Sequence, residues 1–252
     1  MTVASDIEVQ RLASLVRDAD SVVALTGAGI SVPSGIPDFR SPGTGLWEKV
    51  DPMEVAHIDV FRRDPERFWH FYGDRFATLR TKEPNGAHRA LVALEQAGHL
   101  EAVITQNIDQ LHRRAGTREL VEVHGSIATC SCLACRASVE LDDARGRLAA
   151  DPTGVPRCDC GQPLKPDVVL FGEMLDAARM ERAFALAGGA DVLLCIGTSL
   201  EVYPVAGLPD VTLRSGGAVA IVTQGPTPFD REARVRLGGD VVSELEALVA
   251  AL

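Results

Sequence analysis

The chain has 252 residues, 46% of them apolar, and a formal net charge of −10. That composition supports a sizeable core and excludes wholesale disorder, and the length suits one large domain or one domain with inserts. The acidic balance argues against direct nucleic-acid binding, which rests on clustered Lys and Arg, and suits a cationic partner such as lysine-rich protein.

The opening segment, "MTVASDIEVQRLASLVRDAD", lacks the basic start and apolar block of a secretory signal. Its residues 6–19 read as an amphipathic helix packed on the body. No apolar stretch approaches the ~20 residues that span a bilayer, so no membrane partner is expected. A buried strand is predicted over "SVVALTG" (21–27), ending in the turn Gly27-Ala28-Gly29. Such a turn lets backbone approach a pyrophosphate. The dinucleotide fingerprint G-x-G-x-x-G fails here, because Val32 stands where the third glycine belongs. Pro33 and Pro37 then disfavour a long helix over 31–40. This stretch reads instead as an ordered loop able to fold over a ligand, with Asp38, Phe39 and Arg40 at its end.

Residues 41–85 hold Trp47, Phe61, Phe68, Trp69, Phe71, Tyr72 and Phe76 and read as a helical insert. A helical pattern over 85–98 leads into "EAVITQN" (101–107), a strand whose tail is Thr105-Gln106-Asn107-Ile108-Asp109. A carboxamide and a carboxylate at such a tail can read a ribose hydroxyl and an amide; Asp109 alone also reads as a helix N-cap. "LVEVHG" (120–125) brings His124 to a strand end, and a histidine there suits general-base work near neutral pH. His57, His70, His88, His99 and His112 lack that placement and read as surface or packing residues.

Residues 126–166 hold Cys130, Cys132, Cys135, Cys158 and Cys160. Clustered cysteines without a secretion signal point to a metal in a reducing compartment, hence a cytoplasmic protein. Cys132-x-x-Cys135 is half of a zinc knuckle, and four thiolates close a structural site with no open position. Cys158-x-Cys160 is tighter than zinc ribbons usually are. The preferred ligands are Cys132, Cys135, Cys158 and Cys160; the alternatives are Cys130 in place of one of them, or a weakened site. Cys195 reads as a core residue.

Further apolar runs are "DVVLFGE" (167–173), "DVLLCIGTS" (191–199) and "GAVAIVTQ" (217–224), with helical patterns over 177–188 and 240–252. Near-continuous apolar strands alternating with helices predict a parallel sheet covered on both faces. Ligands of such sheets bind beyond the carboxyl ends of the strands. There the tails Thr26–Gly29, Thr105–Asp109, His124-Gly125-Ser126, Gly197-Thr198-Ser199 and Thr223-Gln224 would converge on one crevice.

Taken in order, "GAGISVPSGIPDFR", "TQNIDQLHRRAG", "HGS", the paired cysteines, "KPDVVLFGE" and "GTSLEVYP" resemble a sirtuin, an NAD-dependent protein-lysine deacylase. The likeness runs from about residue 20 to the C-terminus. It implies an α/β fold: a Rossmann-like parallel sheet with helices on both faces, plus a small zinc-ribbon and helical module formed by two inserts. The large domain would comprise 1–40, 86–125 and 167–252, and the module 41–85 and 126–166. NAD would be the co-substrate and zinc a structural ion. The partners would be acylated-lysine proteins or peptides.

Residue by residue, the resemblance places Gly27, Ala28 and Gly29 at the pyrophosphate, and Ile36, Asp38, Phe39 and Arg40 in the cofactor loop. Gln106, Asn107, Ile108 and Asp109 would hold the nicotinamide ribose and carboxamide. Gly197, Thr198, Ser199, Thr223, Gln224 and Gly239 would take the phosphate and adenosine side; the family commonly has Asn where Thr223 stands. His124 would be the catalytic base, with Asn107 and Asp109 beside it. Val168, Phe171, Gly172, Glu173, Val202 and Tyr203 would clamp the substrate backbone as an added strand. In that chemistry the acyl oxygen attacks C1′ as nicotinamide leaves, His124 deprotonates a ribose hydroxyl, and water yields free lysine and O-acyl-ADP-ribose. Deacetylation is the expected activity. Tyr72-x-x-Arg75 matches a pair that binds succinyl or malonyl carboxylates in one subgroup, yet it also reads as a solvated Arg on an aromatic helix, which is weighted slightly higher. An ADP-ribosyltransferase and a non-catalytic NAD or ADP-ribose binding module are the rival readings.

Overall fold

The computed structural model describes residues 3–38 and 50–252. Helix α1 (Val3–Arg17) precedes β1 (Val22–Thr26), and a 3-10 helix with Pro33 inside it covers Ala28–Ser34. Three helices come next: α2 (Pro52–Val55), α3 (Ile58–Arg63) and α4 (Pro65–Arg80). Beyond them lie α5 (Gly86–Gln96), β2 (Ala102–Thr105), α6 (Leu111–Ala115) and β3 (Leu120–Glu122). Then come β4 (Gly125–Cys132), β5 (Ser138–Glu140), α7 (Leu141–Ala150) and β6 (Leu164–Val168). The chain ends with α8 (Ala177–Gly189), β7 (Val192–Ile196), α9 (Leu208–Arg214), β8 (Ala218–Val222), β9 (Val235–Leu237) and α10 (Val241–Ala251). Among the described residues no helix is long and apolar enough to cross a membrane.

Six parallel strands form the main sheet in the order β3-β2-β1-β7-β8-β9. Its central strands are apolar at nearly every position because both faces are covered. Val22 and Ala24 of β1 and Val192 and Leu194 of β7 pack in a core with residues of α1, α5 and α10. The alternate positions Val23, Leu25, Leu193 and Cys195 pack in a second core with residues of α8 and α9. Cys195 is thus a core residue, as its lone place in an apolar run suggested.

A second sheet, antiparallel, has the order β5-β4-β6. The run "DVVLFGE" differs from expectation here. Its first residues end β6, which pairs antiparallel with β4, and it adds no strand to the parallel sheet. Pro166 lies on an edge strand of this sheet, the usual place for a proline within a sheet. A third core joins Ile58, Phe61, Phe68, Trp69 and Phe76 to Ile127, Leu141, Leu164 and Val168, so the aromatic helices and the cysteine-bearing strands share one interior. Strand β9, three residues long, escaped the sequence reading.

Candidate functional site

The strand order reverses direction at β1, whose neighbours β2 and β7 both come after it in the chain. Such a switch point opens a crevice beyond the strand ends. The tails of β1 and β7 interlock there. The Gly29 amide donates to the Gly197 carbonyl at 2.8 Å, and the Gly27 amide to the Ile196 carbonyl at 3.0 Å. A Cβ on Gly27 would lie 2.8 Å from the Gly197 oxygen, and one on Gly29 2.7 Å from the Gly197 Cα. Gly197 itself has φ +58°, and its Cβ would meet the Ile30 nitrogen at 2.3 Å. These glycines exist so that two loop backbones can touch.

The polar tail of β2 lies across this junction. Asn107 Nδ2 donates to the Gly27 carbonyl at 3.0 Å and to Ser31 Oγ at 3.2 Å. Ser31 Oγ in turn donates to Asp109 Oδ2 at 2.7 Å. Asp109 Oδ1 accepts the Leu111 amide at 2.9 Å; the N-cap of α6 is Gln110, not Asp109, and its side chain makes no cap bond. Ser31, Asn107 and Asp109 are all buried. Burial raises the Asp109 pKa against the opposing pull of its hydrogen bonds to Ser31 and Leu111. Gln106 Nε2 reaches Thr198 Oγ1 at 2.9 Å, which ties the β2 tail to the β7 tail.

His124 lies just beyond β3 and joins the same group. Its Nδ1 lies 3.0 Å from the Gln106 carbonyl, the residue adjoining Asn107. A carbonyl only accepts, so Nδ1 carries the proton and Nε2 keeps its lone pair. Burial lowers the His124 pKa, and the bond to Gln106 only partly offsets it. At neutral pH the ring is therefore an uncharged base.

Beside this centre, the segment after β6 straps one module to the other. The Val169 amide donates to the His124 carbonyl at 2.8 Å, and the Phe171 amide to the Ala56 carbonyl at 2.9 Å. Val168 is buried; Phe171 is 40% exposed and Tyr203 71%, two large apolar side chains left open to solvent. Gly172 has φ +83°, and a Cβ there would lie 2.6 Å from His57 Nε2. Glu173 is engaged within the protein: its Oε2 lies 2.9 Å from the buried Lys165 Nζ and accepts the Leu170 amide at 2.8 Å. Val202 is half-buried and lies near Tyr203 in sequence on the loop after β7.

Of the other residues the resemblance assigns to the cofactor, Ala28, Ile36, Asp38, Ile108, Ser199 and Thr223 are partly exposed, while Gln224 is exposed. The Thr223 amide is bonded to the Leu237 carbonyl, and the Gly239 amide to Glu244 Oε1 at 2.8 Å. Phe39 and Arg40 lie outside the described residues. The Tyr72 ring stacks on Phe76 with 5.1 Å between centroids, and burial pushes its phenol up to about 12. Arg75 lies 3.7 Å over the Phe71 ring and donates to the Phe71 carbonyl. That is an arginine laid on its own aromatic helix.

At the far end of the small module the thiols of Cys132, Cys135, Cys158 and Cys160 all lie within 4.8 Å of one another. Cys132 and Cys160 are 3.6 Å apart and Cys135 and Cys158 3.5 Å. A tetrahedron with ~2.3 Å Zn–S bonds separates its sulfurs by ~3.8 Å, so the set fits zinc. The tight Cys158-x-Cys160 spacing works because the chain reverses there. Gly161 takes φ +85°, and the Cys158 amide donates to the Gln162 carbonyl. Cys130 is excluded from the set: it is fully buried in the module core, where burial pushes its thiol up to about 12.

A family model described as the Sir2 family matches residues 27–204. The chain belongs to the Sir2 family. The NAD-dependent protein deacetylase of Sulfolobus acidocaldarius is 42% identical over 226 residues, covering 90% of this chain and 88% of that protein. An NAD-dependent protein deacylase of Pyrococcus abyssi is 44% identical over 212 residues, 84% of each chain. Among solved structures, a complex of Sir2 with p53 peptide and NAD+ matches with TM-score 0.88 and 39% identity over 95% of this chain and 96% of that one. A Sir2 structure bound to a propionylated peptide matches with TM-score 0.87 and 38% identity over 96% and 97%.

Within this Sir2-family site, sequence reasoning passed over Ser31. It bridges Asn107 and Asp109, and the available signal was a small hydroxyl inside the glycine- and proline-rich loop. The donor set suits a nicotinamide riboside. Asn107, Ser31 and Asp109 form a buried hydrogen-bonded set, and the His124 ring is tied to the same β2 tail through the Gln106 carbonyl.

Proposed function

We propose that this chain is an NAD-dependent protein-lysine deacylase. NAD supplies a ribose C1′ that takes the acyl oxygen as nicotinamide departs. The observation that carries this reading is the Nδ1 bond to the Gln106 carbonyl, which leaves His124 Nε2 free to act as a base. In this reading His124 Nε2 takes the proton of a ribose hydroxyl. The Gln106 carbonyl fixes the tautomer and stabilises the imidazolium once formed. Asn107, Asp109 and Ser31 orient the nicotinamide end, with Gln106 and Ile108 on the ribose side. The interlocked Gly27–Gly29 and Gly197–Ser199 loops present backbone to the phosphates. Ile36 and Asp38 belong to the loop on the ribose side, to which the family resemblance adds Phe39 and Arg40, while Thr223, Gln224 and Gly239 border the adenosine. Most of the acceleration is positioning and charge stabilisation.

Substrate peptide lies as an added strand between Val168–Gly172 and Val202–Tyr203, with Phe171 and Tyr203 as its exposed apolar contacts. Glu173 holds that strand through Lys165 and does not touch peptide. The four cysteines would hold zinc, which braces the small module and takes no part in catalysis. The large domain then comprises 1–40, 86–125 and 167–252. Arg75, spread on Phe71, favours a short uncharged acyl group over a carboxylate-bearing one. A cytoplasmic location and a protein partner, with no direct nucleic-acid or membrane binding, complete the reading; clustered thiols and the net charge of −10 support it.

The test is incubation with NAD and an acetyl-lysine peptide, with mass spectrometry as the readout. Nicotinamide release that requires the peptide, and deacylation that disappears in His124→Ala, support the proposal. Deacylation that persists in His124→Ala contradicts it.

A further inference from the structure

Where β6 leaves the small sheet, the ladder gives the chain no regular path. The pairing of β4 with β6 shifts register between Gly125 and Cys130. Beside that irregularity stands Lys165, a charged residue only 6% exposed. Its ammonium is fully engaged. Nζ donates to the Pro166 carbonyl at 3.1 Å and to the Val168 carbonyl at 2.8 Å, and it lies 2.9 Å from Glu173 Oε2. An ammonium has three protons, and each finds an acceptor here. The same Glu173 oxygen accepts the Leu170 amide at 2.8 Å, and the Glu173 amide donates to the Leu170 carbonyl at 3.0 Å. The segment from Lys165 to Glu173 is thus drawn round one buried charge, with its two ends closed by an ion pair.

A buried ion pair is a poor source of stability, because desolvating both charges offsets their attraction. What this one supplies is a backbone path. An apolar side chain at position 165 could fill the same space, but it could not hold two carbonyls and, through a carboxylate, an amide. The remaining backbone bonds of the segment show what the path decides. The Val169 amide donates to the His124 carbonyl at 2.8 Å. The Phe171 amide donates to the Ala56 carbonyl, and the Phe171 carbonyl accepts the Ile58 amide, each at 2.9 Å. The closure at Lys165 therefore governs how the strap meets His124 on one module and the helical insert on the other.

We infer that Lys165 is a positioning residue for the acyl-lysine peptide: paired with Glu173, it fixes the path of residues 168–172, and with it the backbone edge along which the peptide adds. It touches no peptide itself. The peptide's place rests on the deacylase reading; the bonds around the ammonium do not.

Hydrogen exchange on the full-length chain tests the bonds. In wild type the Leu170 amide should be protected. In Lys165→Met the amides of residues 169–171 should exchange about tenfold faster or more, while those of β1 and β7 keep their rates. A wild-type Leu170 amide that exchanges as fast as an open one overturns the inference. Binding tests the role. Lys165→Met should weaken binding of a fluorescently labelled acetyl-lysine peptide about tenfold, with NAD affinity by calorimetry changed by about twofold or less. Lys165→Met combined with Glu173→Leu removes both charges, so Tm should return towards the wild-type value while the peptide stays weakly bound. Should Lys165→Met alone fail to fold, this double variant makes the comparison. Peptide affinity that recovers together with Tm, or an equal loss for NAD, overturns the inference, because the pair would then serve stability alone. A wild-type chain whose Leu170 amide is protected but which binds no acyl-lysine peptide refutes the deacylase reading, and the peptide role with it, while the bonds around Lys165 stand.

Discussion

Replacing Gly197 by alanine should damage the molecule at the point where its two glycine loops touch. Gly197 has φ +58°, a region that costs a side-chain-bearing residue about 1–2 kcal/mol. Its Cβ would stand 2.3 Å from the Ile30 nitrogen and 2.6 Å from the Gly29 carbonyl carbon, both backbone atoms that no rotamer change can clear. Separating the loops stretches the Gly29-to-Gly197 and Gly27-to-Ile196 hydrogen bonds, worth about 1 kcal/mol each. With overpacking of about 1 kcal/mol or more, the total is about 4 kcal/mol. In a chain of this length that lowers Tm by about 8–16 °C. Thermal melts by circular dichroism measure it. Gly225→Ala is the control, since nothing lies within 4 Å of its added Cβ and about 0.5 kcal/mol or less is expected. A Gly197→Ala protein melting within about 2 °C of wild type would refute the idea that the two glycine loops are locked backbone to backbone.

The same geometry fixes three further outcomes. The proposed role of His124 as a neutral base, with its pKa lowered by burial, predicts that kcat/KM holds below the ordinary histidine value near 6.5 and falls only at more acid pH; a pH–rate profile inflecting above 6.5 would contradict this. Elemental analysis should find one zinc per chain, kept in Cys130→Ala and lost in Cys135→Ser, with unfolding of the β4–β6 module on chelation; loss of zinc in Cys130→Ala would disprove the ligand set. Arg75→Met should leave the ratio of desuccinylation to deacetylation unchanged, because its guanidinium lies on Phe71; a selective loss of desuccinylation would show a carboxylate site.

The central strands were legible because a sheet covered on both faces must be apolar almost throughout, and β1, β2, β7 and β8 all are. The hydrogen-bonded tail of β2, and the bond from His124 to it, follow a related logic: ligand sites of parallel sheets gather at strand tails, so position after an apolar run is what singled these residues out. The run after Pro166 misled because the end of β6 and the residues beyond it, at the edge of the small sheet, are as apolar as a central strand of the large one. Three residues of β9 are too few to show a pattern. Choosing among five cysteines needed three dimensions, since only the reversal at Gly161 tells how Cys160 can join Cys132 while Cys130 turns into the core. His88 and His112 likewise carry no local sign of meeting each other 24 residues apart.

The most direct measurement is a product balance. Wild-type protein is given NAD and an acetyl-lysine peptide, and nicotinamide, deacylated peptide and O-acetyl-ADP-ribose are counted together by mass spectrometry. Transfer of the acyl group to the ribose through His124 requires equal amounts of all three at every time point. Nicotinamide released while the peptide keeps its acetyl group, with ADP-ribose appearing free or attached to protein, would contradict it.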